Sequence, residues 1–132
     1  MEPFTRSRPL VFVTNGDPDF LLMVKELLES EGYAAETMPL VDHPLPEIVR
    51  LLPDLLIIDF PHRDQLAWDL IGQLDATPAT SMMPVIATST DPDNLARFAA
   101  QPMMRVSAEV LLKPYDLDPL IELVTALVPV RS

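Results

Sequence analysis

Three polar residues stand at or just beyond the ends of short apolar runs. Asp59 closes Leu55-Leu56-Ile57-Ile58, Ser89 follows Pro84-Val85-Ile86-Ala87-Thr88, and Lys113 follows a run that starts at Ala108 or Val110 and ends at Leu112. A carboxylate, a hydroxyl and an ammonium are the groups that phosphoryl transfer to an aspartate requires. They supply an attacking oxygen, a donor to one equatorial oxygen and a cation for the spread charge. Such chemistry needs the three runs to be parallel strands, because the carboxyl ends of strands in an open α/β sheet share one ligand-binding rim. Asp59 is the central member, since its run is too apolar to be other than a buried strand.

The elements that would position these groups follow from periodicity. Leu10 to Thr14 is a short β-prone run that stops at Asn15-Gly16. From Asp17 the pattern turns helical, with Pro18 in the first turn, Phe20, Val24, Leu27 and Leu28 on one face, and Gly32 as terminator. Tyr33 to Met38 reads as a weaker strand at an edge, interrupted by Glu36 and closed by Pro39. Pro46 to Leu52 reads as a short helix before the strand that ends on Asp59. Leu66, Leu70, Ile71 and Leu74 mark the next helix, and Asp91-Pro92 starts another, with the aspartate as its cap. A final helix carries Leu117, Leu120, Ile121, Val124, Leu127 and Val128. Strands apolar on both faces, alternating with amphipathic helices, predict an α/β domain with a parallel sheet covered on both sides.

Composition narrows the function classes. A chain of 132 residues with 48% hydrophobic and 22% charged residues suits a single domain, 1–132, in which 1–8 reads as a flexible extension. No second domain is expected at that length. A formal net charge of -11 opposes direct nucleic-acid binding, which needs cations to displace counterions from phosphates. With Cys 0 there is no disulfide framework and no thiolate metal site. No run reaches membrane-spanning length and no signal segment follows Met1 to Pro9, so a cytoplasmic location without membrane contact is expected.

The alternating order, the strand ending on Asp59, the Pro84-Val85-Ile86 strand leading to Ser89, and Lys113-Pro114 before the last helix together resemble a bacterial response-regulator receiver domain of two-component signalling. The resemblance spans essentially the whole chain. It implies a flavodoxin-like (βα)5 three-layer sandwich whose sheet order is 2-1-3-4-5. It also implies Asp59 as phosphoacceptor, with Ser89 and Lys113 holding the phosphoryl group, and a histidine kinase or phosphotransfer protein as donor partner. Output would pass to a downstream protein or a second copy of the chain, through the last two helices and last strand. Mg²⁺ is the implied cofactor, with Asp17, Asp59 and the backbone carbonyl of Pro61 as its ligands here.

Departures from the family pattern modify those expectations. Where receivers carry an acidic pair after the first strand, this chain has Asn15-Gly16, so Mg²⁺ binding is expected to be weak or absent and the chain to lean toward a pseudo-receiver. Asp17, at a helix start, reads better as a cap than as a ligand. Val110 and Leu111 stand where an aromatic switch residue is usual, and His62 and Arg63 flank the site in sequence. Lys113 could equally form a salt bridge with Asp59 in an inactive pocket. His43 and His62 read as solvated loop residues, and Trp68, Met82 and Met83 as packing. Pro102-Met103-Met104 is the better surface candidate. The competing class is a small flavodoxin-like enzyme or ligand-binding module on the same rim. No Gly-rich phosphate loop supports it, with Gly 3 in the chain.

Overall fold

Apolar runs and helical periods resolve into ten main elements in the computed structural model, which describes residues 8–60, 65–101, 108–112 and 117–130. They are β1 (Leu10–Asn15), α1 (Pro18–Ser30), β2 (Ala34–Pro39), α2 (Leu45–Leu51), β3 (Leu55–Asp59), α3 (Gln65–Ala76), β4 (Val85–Ser89), α4 (Pro92–Ala99), β5 (Ala108–Leu112) and α5 (Leu117–Leu127). All strand pairs are parallel, in the order β2-β1-β3-β4-β5. This is the flavodoxin-like order, and β2 lies at an edge as its broken apolar pattern predicts.

Two apolar clusters sandwich the sheet. Phe12, Leu56, Ile58, Val85 and Ala87 face Ile48 of α2, Leu70, Ile71 and Leu74 of α3, and Leu95 and Phe98 of α4. Val11, Val13, Leu55, Ile57 and Ile86 face Leu21, Val24 and Leu28 of α1 and Leu120 and Val124 of α5. Because β1, β3 and β4 are buried throughout, their alternating side chains feed both clusters. Each fully buried Leu or Ile contributes roughly 1.5–3 kcal/mol relative to exposure, so the three central strands fix the position of the sheet's carboxyl rim.

Local signals set the ends of the helices. The Asp17 carboxylate accepts from the amides of Asp19 and Phe20, and Pro18 occupies the first turn of α1. Gly32 then leaves the helix at φ +98, where a Cβ would also meet Val130 at 3.1 Å. Asp91 caps α4 in the same manner, through the amide of Asp93. Tyr33 is buried just before β2, and its hydroxyl donates to the Val128 carbonyl at 2.7 Å, tying that edge to the chain beyond α5.

Two features differ from the sequence pattern. A 3-10 turn, Leu40–Asp42, precedes α2. In β5, Glu109, Val110 and Leu112 are exposed, because this strand pairs only with β4 and closes the sheet. Among the described residues no helix is long and apolar enough to cross a membrane. The Pro102-Met103-Met104 segment lies outside the described residues.

Candidate functional site

β3 carries Asp59 to the carboxyl rim because Leu55 to Ile58 are locked between β1 and β4. Alternation turns Asp59, like Leu55 and Ile57, toward the α1/α5 layer, and Phe60, like Leu56 and Ile58, toward α2, α3 and α4. The register sets Asp59 opposite Thr88, which shares its face with Ile86. Thr88 Oγ1 donates to Asp59 Oδ1 at 2.9 Å, and both side chains are buried.

Ser89 falls on the other face, with Val85 and Ala87. Its hydroxyl donates to the Phe60 carbonyl at 2.7 Å and accepts from the Asp91 amide at 3.0 Å. Asn94 Nδ2, from α4, reaches the same Phe60 carbonyl at 3.4 Å. Ser89 therefore secures the backbone just after Asp59, while Thr88 holds the carboxylate. Reading the apolar run as ending before Ser89 passed over Thr88. The signal that could have found it is the alternation of Ile86 and Thr88 on Asp59's face. Lys113, Pro61, His62 and Arg63 lie outside the described residues.

At the end of β1 the side chains serve local structure. Asn15 is buried, and its Oδ1 accepts from the Asp17 amide at 2.9 Å. Asp17 is exposed, and its Oδ1 serves the first turn of α1 at 3.0 and 3.4 Å. Gly16 brings no side chain. Among the described residues, no group of three His, Cys, Asp or Glu side chains could hold a metal ion. Mg²⁺ is held by hard oxygens, including one or two carboxylates in strict octahedral geometry. An amide oxygen tied to a neighbouring N–H and a carboxylate used as a helix cap do not fit that role. Thr14, beside Asn15, is fully buried, and its hydroxyl has no hydrogen-bond partner among the described residues.

Beyond the carboxylate, Phe60 nucleates an aromatic cluster. Its ring centroid is 4.6 Å from that of Trp68 on α3 and 5.6 Å from that of Phe98 on α4, both tilted. The Arg97 guanidinium lies 4.1 Å from the centroid of the Trp68 ring. Trp68 is half-buried and Met83 is buried, while Met82 is exposed. Val110 is exposed and Leu111 packs against the α1/α5 cluster. His43 is exposed and lines a separate cavity of about 160 Å³ with Leu40, Leu45, Leu66 and Asp69.

No protein-family model matches the chain. An uncharacterized 14.6 kDa protein from the sodA1 3' region of Leptolyngbya boryana is 30% identical over 114 residues, covering 86% of each chain. A response regulator receiver protein from Pseudomonas putida is 26% identical, covering 92% of this chain and 99% of its own, with a TM-score of 0.73. The structure of a transiently phosphorylated switch in bacterial signal transduction is also 26% identical, covering 91% of this chain and 94% of its own, with a TM-score of 0.65. Its sheet order and its likeness to the Pseudomonas putida structure make this chain a response-regulator receiver domain.

Proposed function

We propose that this receiver domain acts by binding a partner protein, with Asp59 at the acceptor position but without ready Mg²⁺-assisted phosphorylation. In that reading it is a pseudo-receiver and not an enzyme. Lys113 is its cation, Thr88 secures the carboxylate, and Ser89 secures the backbone that follows it. The observation that carries this reading is the end of β1, where Asn15 accepts from the Asp17 amide and Asp17 caps α1. Without a second carboxylate beside Asp59, the charge of an incoming phosphoryl group lacks a well-held counter-ion.

A histidine kinase or phosphotransfer protein is the upstream partner in this reading, and a downstream protein or a second copy receives the signal. Exposed Val110 and Leu112 on β5, at 38% and 47% of their surface, support the face of α4, β5 and α5 as the contact. Incubation with a small-molecule phosphodonor, with and without Mg²⁺, followed by intact mass measurement, tests the proposal. The expected result is no adduct in either condition. A stoichiometric Mg²⁺-dependent adduct that disappears in Asp59→Asn would overturn it.

A further inference from the structure

Phe60 is held at every part of its structure. Its amide donates to the Thr88 carbonyl at 2.8 Å, and its own carbonyl accepts from Ser89 and Asn94. Its ring, 1% exposed, lies between Trp68 and Phe98. The preceding residue is Asp59, whose carboxylate is bonded to Thr88. A single peptide unit therefore connects a buried charge to two helices. In a close-packed interior, displacement at such a point is transmitted and not absorbed.

The two helices touch at the surface. Arg97, exposed on α4, covers the indole of half-buried Trp68 on α3. Such a cation–π contact is worth about 0.5–1 kcal/mol when exposed, so a small displacement of either helix can break or remake it.

We propose that Phe60 is a positioning residue that carries the state of the Asp59 carboxylate to the α3–α4 surface, where the Trp68–Arg97 pair is the outward-facing element that changes. The proposal rests on Asp59 being the functional position, but not on its phosphorylation. A receiver whose β5 offers Val110 and Leu111 in place of an aromatic ring would thereby still possess a route from its acceptor position to its surface. That route runs through α4 from the β3 side.

Trp68 is the sole tryptophan in the chain, so its emission reads this cluster alone. Asp59→Asn neutralises the carboxylate in the full chain without removing side-chain volume. The expected result is a shift in Trp68 emission, together with shifts in the amide resonances of α4 from Asp93 onward. The same substitution made in Phe60→Leu, and separately in Asn94→Ala, should lose most of both responses. Because Phe60→Leu opens a core cavity, far-UV circular dichroism checks its fold. Asn94→Ala, which removes the side-chain contact to the Phe60 carbonyl, decides the matter if Phe60→Leu unfolds. An unmoved Trp68 and α4 in Asp59→Asn would overturn the proposal. So would a full-sized response that survives Asn94→Ala and, where it folds, Phe60→Leu. The phosphodonor experiment has a separate readout, so a phosphoryl adduct would refute the pseudo-receiver reading without touching this one.

Discussion

The hydroxyl of Thr88 donates to the carboxylate of Asp59 at 2.9 Å between adjacent strands, with both side chains turned toward α1 and α5. Ser89, the next residue, faces the opposite layer and bonds the Phe60 carbonyl. The two neighbouring hydroxyls thus divide the work: one holds the carboxylate, the other holds the backbone that follows it.

Removing the first of these bonds takes one donor away from a buried carboxylate. Thr88→Val, nearly isosteric, is expected to lower stability by about 1.5–3 kcal/mol, the range for hydrogen bonds to charged groups. Thr88→Ser, which keeps the hydroxyl, should retain most of that stability. Urea denaturation of the three proteins, compared at a common slope, measures it.

Asp17 is expected to behave as a cap. Asp17→Ala should cost about 1 kcal/mol, because two amides of the first turn lose their acceptor. Asp17→Asn, which caps comparably, should be almost neutral in a thermal melt. Neither substitution should alter the response to added Mg²⁺, and a large loss of Mg²⁺ affinity in Asp17→Asn would contradict the assignment.

Restoring a carboxylate at the end of β1 should restore metal binding. Asn15→Asp keeps an oxygen for the Asp17 amide and adds charge at the rim beside β3. Its Mg²⁺ affinity, followed by calorimetry, is expected to rise on the order of tenfold, which corresponds to 1.4 kcal/mol. The same variant should gain phosphoryl adduct with a small phosphodonor. Without Mg²⁺, it should be less stable than the natural chain if the new carboxylate repels Asp59.

Thr14 offers a stabilising substitution. Its fully buried hydroxyl has no partner among the described residues, and burying such a group costs about 1–3 kcal/mol. Thr14→Val keeps the shape and the β-branched preference of β1, so stability should rise by about 1 kcal/mol or more. A rise in the urea midpoint with unchanged slope checks this.

Much of this molecule is legible from residues close together in the chain. The run Leu55 to Ile58 dictates a buried strand, so Asp59 must lie at its end. Asp17-Pro18 and Asp91-Pro92 dictate helix starts, because capping involves amides only two or three residues away. The alternation of such elements dictates the parallel sheet, and Asn15-Gly16 already announces the missing acidic pair. The partner of Asp59 is different in kind. Whether Thr88 or Ser89 meets the carboxylate depends on the register of β4 against β3, and a slip of one residue would exchange their faces. No local pattern within either strand states that register. It emerges when both faces of the sheet are packed at once. The meeting of Phe60, Trp68, Phe98 and Arg97 has the same origin, since it joins residues from three separate elements. Local chemistry in the sequence therefore determined what each element is and where Asp59 stands. Only tertiary packing decided which side chains touch it and which helices its neighbour Phe60 engages, because those contacts depend on how distant elements fit together.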